Sequence, residues 1–136
     1  MSTRAELLRI DLLFVNGTLM RGLTLHRNLE GAEFLEEART APCYRLFSIG
    51  DAHPGMFRVE HGGVSVAGEL YRVPDNVCTR VVVGEPPGLY RGEVELSDGR
   101  VVPGILIRPE RVTGHRDISA YGGWRAYIAS TERHCA

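Results

Sequence analysis

The chain is predicted to be a single α+β domain, residues 1–136, with a small mixed β-barrel and a few flanking helices. Three observations predict this. Short alternating apolar runs outnumber helical patterns, turn signals recur between them, and the clearest local signal is a hairpin. At 136 residues with 43% apolar content, one domain with a real core is expected.

Ile10–Val15 is apolar and reads as a strand that stops at Asn16-Gly17-Thr18, a tight loop. Leu23–Leu29 reads as a loop or helical turn carrying His26. Ala32–Thr40 has a helical composition but a length that also permits a strand. Cys43–Ile49 alternates and reads as a strand, followed by a loop over Asp51–Gly55 that contains His53-Pro54-Gly55. Val64–Val73 reads as a central strand. Pro74-Asp75-Asn76 starts a helix to about Val83. Glu85-Pro86-Pro87-Gly88 cannot be regular, because consecutive prolines lack donors and fix the backbone. Gly92–Leu96 and Val101–Ile107 flank Ser97-Asp98-Gly99-Arg100, the strongest hairpin signal in the chain. Asp117-Ile118-Ser119 offers N-cap residues for a helix through Trp124 to Ala129.

Composition narrows the function. A net charge of -1 with mixed signs argues against nucleic acid as a partner. No apolar run approaches the roughly 18 residues of a membrane span, and the N-terminus lacks a secretory h-region. All sixteen basic residues are arginine, which excludes lysine nucleophiles and Schiff bases. Cys43, Cys78 and Cys135 are odd in number and far apart, so neither a disulfide framework nor a zinc site is expected. Cys43 and Cys78 read as core thiols and Cys135 as exposed, in keeping with a reducing cytoplasm. No metal and no cofactor is expected. A small amino-acid-like or carboxylate substrate and a possible homodimer complete the expectation.

The Asn16–Met20 loop could hold a carboxylate through backbone N–H groups, with Gly17 supplying unusual backbone angles. A strand-ending turn without a ligand has the same local sequence. Glu85, held between a helix and the Pro-Pro-Gly corner, is a candidate acid–base group whose pKa burial would raise. A solvated loop glutamate is the plainer alternative. Glu69 lies in a strand and is expected either inward and functional or paired with an arginine. Arg125 is a candidate anion clamp, or a helix-surface charge beside Trp124. The five histidines lack metal-ligand spacing and read mostly as surface residues, with His26 worth keeping for its closeness to the loop.

Several segments together resemble a known group. Asn16-Gly17-Thr18-Leu19, Gly68-Glu69-Leu70-Tyr71 and Glu85-Pro86-Pro87-Gly88-Leu89-Tyr90 resemble, in order and spacing, the γ-glutamylcyclotransferase-like superfamily. Met20-Arg21-Gly22-Leu23-Thr24-Leu25-His26 and the run from Asp117 to Tyr127 look more like the C-terminal domain of allophanate hydrolase and its free-standing relatives. The resemblance implies the barrel fold. It also implies catalytic roles for Glu85 and His26, and substrate binding by Asn16, Gly17, Thr18, Leu19, Met20, Tyr90 and Arg125. Two departures stand out. Asn16 replaces the superfamily's tyrosine, and Pro86 replaces the glycine after the catalytic acid.

Three functions follow as expectations. One is a γ-glutamylcyclotransferase-type enzyme, in which the substrate's α-amine attacks its own γ-glutamyl carbonyl and Glu85 moves the protons. A second is an enzyme acting on a carbamate- or urea-derived small acid bound by His26 and Arg125. The third is a ligand-binding module without chemistry.

Overall fold

The structure, a computed structural model, describes residues 12–134. Its first strand, β1 (Leu12–Val15), is deeply buried: Leu13, Phe14 and Val15 are 0–1% exposed. A strand buried on both faces must be apolar throughout and paired on both edges. β1 therefore sits at the centre of a five-stranded sheet of order β2-β5-β1-β7-β6. Its neighbours are β5 (Ala67–Arg72), antiparallel, and β7 (Val101–Ile107), parallel. The outer strands are β2 (Glu33–Arg39) and β6 (Leu89–Glu95). A smaller sheet has the order β4-β3-β8, with β3 (Tyr44–Ile49), β4 (His53–Arg58) and β8 (Arg116–Asp117).

The α+β class is as expected. The edges of the larger sheet, β2 and β6, meet at one end through a single bridge, Thr40 to Leu96. Among the described residues the two sheets do not close into one continuous ladder. The 32–40 segment settles as a strand although its composition favours helix, because β5 needs a partner on its free edge and pairs it from Glu33↔Arg72 to Arg39↔Ala67. Glu33, Glu36, Glu37 and Arg39 are exposed, and a bulge lies between Phe34 and Glu36. Such charges and bulges blunt an open edge against pairing with another chain.

Two expectations need correction. The loop placed at Asp51–Gly55 is largely strand: β4 pairs β3 in register from Ile49↔His53 to Tyr44↔Arg58. Its proline is tolerated because β4 is an edge strand of the small sheet. The turn is tighter than expected, with Gly50 and Asp51 both at φ 59. The C-terminal helix also starts later. Asp117 Oδ1 accepts the Ser119 N–H at 2.9 Å, but this caps only a 3-10 turn over Ser119–Tyr121. The chain then reverses at Gly122 (φ 73) before helix α2 (Trp124–His134) begins.

Helix α1 (Asp75–Gly84) starts where Pro74 predicted and buries Val77 and Val81. Arg80 reaches back to the Asn28 carbonyl (3.2 Å) and the Glu30 carbonyl, which ties the helix to the 3-10 turn at His26–Leu29. From α2, Trp124 and Tyr127 join the core at 3% and 1% exposure. Cys43 and Cys78 are half-buried free thiols packed against that core; Cys135 lies outside the described residues.

Gly68 lets β5 lie against β1. A Cβ there would run into the Val15 carbonyl oxygen and stand 2.5 Å from Phe14 Cζ. Gly68→Ala is expected to cost about 2–3 kcal/mol by overpacking, read as a lower urea midpoint with an unchanged m-value.

Candidate functional site

Where β1 ends, the chain enters a loop anchored at several points. Asn16 is 6% exposed, and its Nδ2 donates to Met56 Sδ at 3.7 Å. Gly17 does not have a positive φ, contrary to expectation; its glycine is needed because Pro54 closes on it. A Cβ at Gly17 would lie 2.7 Å from two Pro54 carbons. The Met20 N–H donates to the Gly17 carbonyl at 3.0 Å, closing a turn, and the Leu25 N–H donates to the Thr18 carbonyl at 2.9 Å. His26 Nδ1 lies 2.9 Å from the Leu19 carbonyl. A carbonyl can only accept, so Nδ1 carries the proton and braces the loop. The N–H groups of Gly17, Thr18 and Leu19 have no acceptor among the described residues.

Glu85 follows α1, where two prolines end the helix. The carboxylate is half-buried and lines a narrow cleft with residues 15–19, residues 53–55, Leu89 and Ile105. The enclosed part has about 20 Å³, room for roughly one water molecule. Burial pushes the Glu85 carboxyl up to about 7. Among the described residues no ion pair holds it, and near neutrality both protonation states are populated. A carboxyl in that condition can take and return protons.

The structure thus brings Asn16, Gly17, Thr18 and Leu19 to the same cleft as Glu85. It does not bring the other expected residues there. Tyr90 follows Leu89 on β6, so its side chain leaves the opposite face of the strand; it is 38% exposed, with the Arg108 guanidinium 5.2 Å from its ring centre. Met20 and Arg125 line a different cavity of about 400 Å³, shared with Arg39, Glu69, Tyr121 and Trp124. His26 lines a third, of about 420 Å³, with Arg21, Arg27, Phe34 and Tyr71. His26 and Arg125 therefore face separate spaces rather than one ligand.

Glu69 is both inward and paired. Its side chain is 3% exposed and accepts the Arg21 N–H (2.9 Å), Arg21 Nε (3.1 Å), Tyr71 Oη (2.8 Å) and Arg125 Nη2 (3.2 Å). Burial pushes this carboxyl up, but the Arg21 N–H, the Tyr71 hydroxyl and the Arg21 guanidinium outweigh it, so Glu69 stays below the ordinary carboxylate range. The Tyr71 phenol is pushed well above its ordinary value, first by burial and then by Glu69, and remains a neutral donor. Arg125 Nη2 also donates to the Arg21 carbonyl at 2.5 Å. Its structural duty is to hold the loop against α2.

Sequence reasoning missed His53. It read as a loop histidine, but β4 sets it on the wall of the Glu85 cleft. The available signal was the apolar continuation Met56-Phe57 after Pro54-Gly55, which fits a strand. Among the described residues no group of three His, Cys, Asp or Glu side chains could hold a metal ion.

Two outcomes follow from this geometry. Glu69→Ala leaves the Arg21 N–H and the Tyr71 hydroxyl without their acceptor and should cost about 1–3 kcal/mol in urea unfolding. For Glu85, the folded protein keeps its proton up to about pH 7, while the unfolded chain releases it near 4.5. Stability from this group is therefore full below pH 4.5 and falls as pH rises to 7. Discounted for partial exposure, the difference is about 1–2 kcal/mol. Urea unfolding at pH 5 and pH 8 should show it, and Glu85→Gln should remove it.

The sequence and fold have clear relatives. The family model described as "Allophanate hydrolase C-terminal domain" matches residues 11–129. The urea amidolyase of Saccharomyces cerevisiae is 32% identical over 125 residues, which cover 85% of this chain. That stretch is only 7% of the urea amidolyase, so the chain spans a small part of that relative's length. A protein described as specific to uropathogenic E. coli has a solved structure that is 44% identical, with a TM-score of 0.85 over 88% of this chain and 95% of that one. A gamma-glutamyl cyclotransferase structure shares the fold alone: 14% identity and a TM-score of 0.52 over 78% of this chain and 68% of that chain. A Vibrio cholerae protein described as a "Putative gamma-glutamylcyclotransferase" is 35% identical over 81 residues, which cover 59% of this chain and 67% of that protein. The chain belongs to the allophanate hydrolase C-terminal domain family, within the γ-glutamylcyclotransferase-like superfamily.

Proposed function

We propose that the chain is a γ-glutamylcyclotransferase-type enzyme. It cleaves a γ-glutamyl amide through attack by the substrate's own α-amine, releasing 5-oxoproline and an amine. One observation carries this reading: Glu85, desolvated to a pKa of about 7 and held in no ion pair, shares a cleft with the loop whose Gly17, Thr18 and Leu19 N–H groups lack acceptors. The nucleophile comes from the substrate, so an activated serine, cysteine or lysine is not needed. The protein's work is to fold the substrate back on itself, which removes entropy from the barrier. The loop N–H groups hold the carboxylate or the developing oxyanion, while Glu85 takes the ammonium proton. The enclosed part of the cleft, about 20 Å³, is smaller than such a substrate, so binding widens it.

Family membership supports a second reading: an enzyme acting on a carbamate- or urea-derived small acid. The His26 cavity, with Arg21 and Arg27 on its walls, has the charge for such a ligand. Arg125 opens on a different cavity, which weighs against the two residues gripping one molecule.

Measuring 5-oxoproline released from γ-glutamyl dipeptides separates the readings. Glu85→Gln should lower turnover at least 100-fold, with the fold kept by circular dichroism. Full turnover in that variant sinks the cyclotransferase reading. No turnover of any γ-glutamyl compound, with ammonia and carbon dioxide released from a carbamate-type acid and lost on His26→Ala, establishes the second. Ligand binding without any turnover leaves a binding module.

A further inference from the structure

The cyclisation moves more than one proton. The α-ammonium nitrogen starts with three hydrogens and ends in the lactam with one, while the departing nitrogen gains two. A single carboxyl must shuttle these one at a time between two nitrogens. The cleft contains a second group suited to the task. Among its lining residues the ionisable ones are Glu85 and His53.

His53 is placed by backbone structure. It opens β4 opposite Ile49 of β3, and the next residue, Pro54, packs against Gly17 of the loop. Its Nδ1 lies 3.1 Å from the Pro54 carbonyl oxygen. Because that oxygen can only accept, Nδ1 carries the hydrogen, and the neutral ring keeps its lone pair on Nε2. Nε2 has no partner among the described residues. Asp51, two residues earlier, does not compete for the ring: it accepts from Ser48 Oγ at 2.5 Å and Tyr127 Oη at 2.6 Å. Glu85 is in no ion pair with His53, so the two are separate groups of one cleft rather than a locked pair.

We propose that His53 is a second proton-transfer residue of this cleft, serving the departing nitrogen through Nε2 while Glu85 serves the attacking one. The inference rests on the cyclotransferase reading above. Glu85 as carboxylate takes one ammonium proton, and the freed amine attacks the γ-carbonyl carbon to form the C–N bond of the ring. The ring nitrogen's surplus proton passes to Nε2 of the neutral His53, and as the old C–N bond breaks His53 gives that proton to the departing nitrogen. Glu85 then passes its proton to the released amine. Both residues return to their starting states.

The test is 5-oxoproline release from L-γ-glutamyl-L-alanine between pH 5.5 and 9 by the wild-type chain, His53→Gln and Glu85→Gln. The wild-type rate should rise toward neutrality as Glu85 ionises. His53→Gln should lower kcat about 100-fold, keep that rise and melt at the same temperature. Nitrogen-15 spectra of the wild type should show the neutral ring protonated at Nδ1. A His53→Gln enzyme with wild-type rate overturns the role of His53 while leaving Glu85 as base. So does a ring protonated at Nε2 alone. A wild-type chain that releases no 5-oxoproline, or a Glu85→Gln variant that still does, overturns the base assignment and His53 with it.

Discussion

A carboxylate buried in the central sheet organises this fold. Glu69 lies opposite Val15, the last residue of β1, and there it gathers Arg21 from the loop, Tyr71 from its own strand and Arg125 from α2. Stripped of its partners, a carboxylate at 3% exposure would cost several kcal/mol of desolvation. The loop, the sheet and the C-terminal helix must therefore come together at once for any of them to be stable there. The two larger cavities lie on either side of this knot, with Glu69 on the wall of one and Tyr71 on the wall of the other.

Glu85 shows the same physics with the opposite outcome. It too is removed from water, but among the described residues no arginine or N–H group answers it, so burial acts alone and its proton is held toward neutrality. One chain thus holds a carboxylate kept ionised and another whose proton is held toward neutrality. The difference lies in partners: Glu69 accepts from Arg21, Tyr71 and Arg125, while Glu85 has burial alone. The loop between them is braced at Leu19 by His26 and at Gly17 by Pro54, and the N–H groups of Gly17, Thr18 and Leu19 have no acceptor among the described residues.

Much of the fold was legible because local chemistry and tertiary structure agreed. The apolar run into Asn16, the Pro74 helix start, the Pro86-Pro87 break and the Asp98-Gly99 hairpin all appear where the residues place them. Where a partner decided, the residues left the answer open or pointed elsewhere. The Glu33–Arg39 segment became strand because β5 offered an edge, and His53-Pro54-Gly55 became strand because β3 did. Asp117 caps a short turn instead of the helix because Gly122 turns the chain before α2. Of the residues that the resemblance named, the Asn16–Leu19 loop and Glu85 line one cleft, while Met20, His26 and Arg125 line other spaces and Tyr90 lies by Arg108.

By itself the sequence determined the class of the fold, its family, the absence of lysine chemistry and the rigid corner that follows Glu85. Those depend on composition, local backbone limits and motif order, all of which are written along the chain. Only the tertiary structure decided that Gly17 is small for the sake of Pro54, that Glu69 is bound by two arginines, and that His53 shares a wall with Glu85. Each of these turns on which residues distant in sequence meet in space and on how much water they lose when they do.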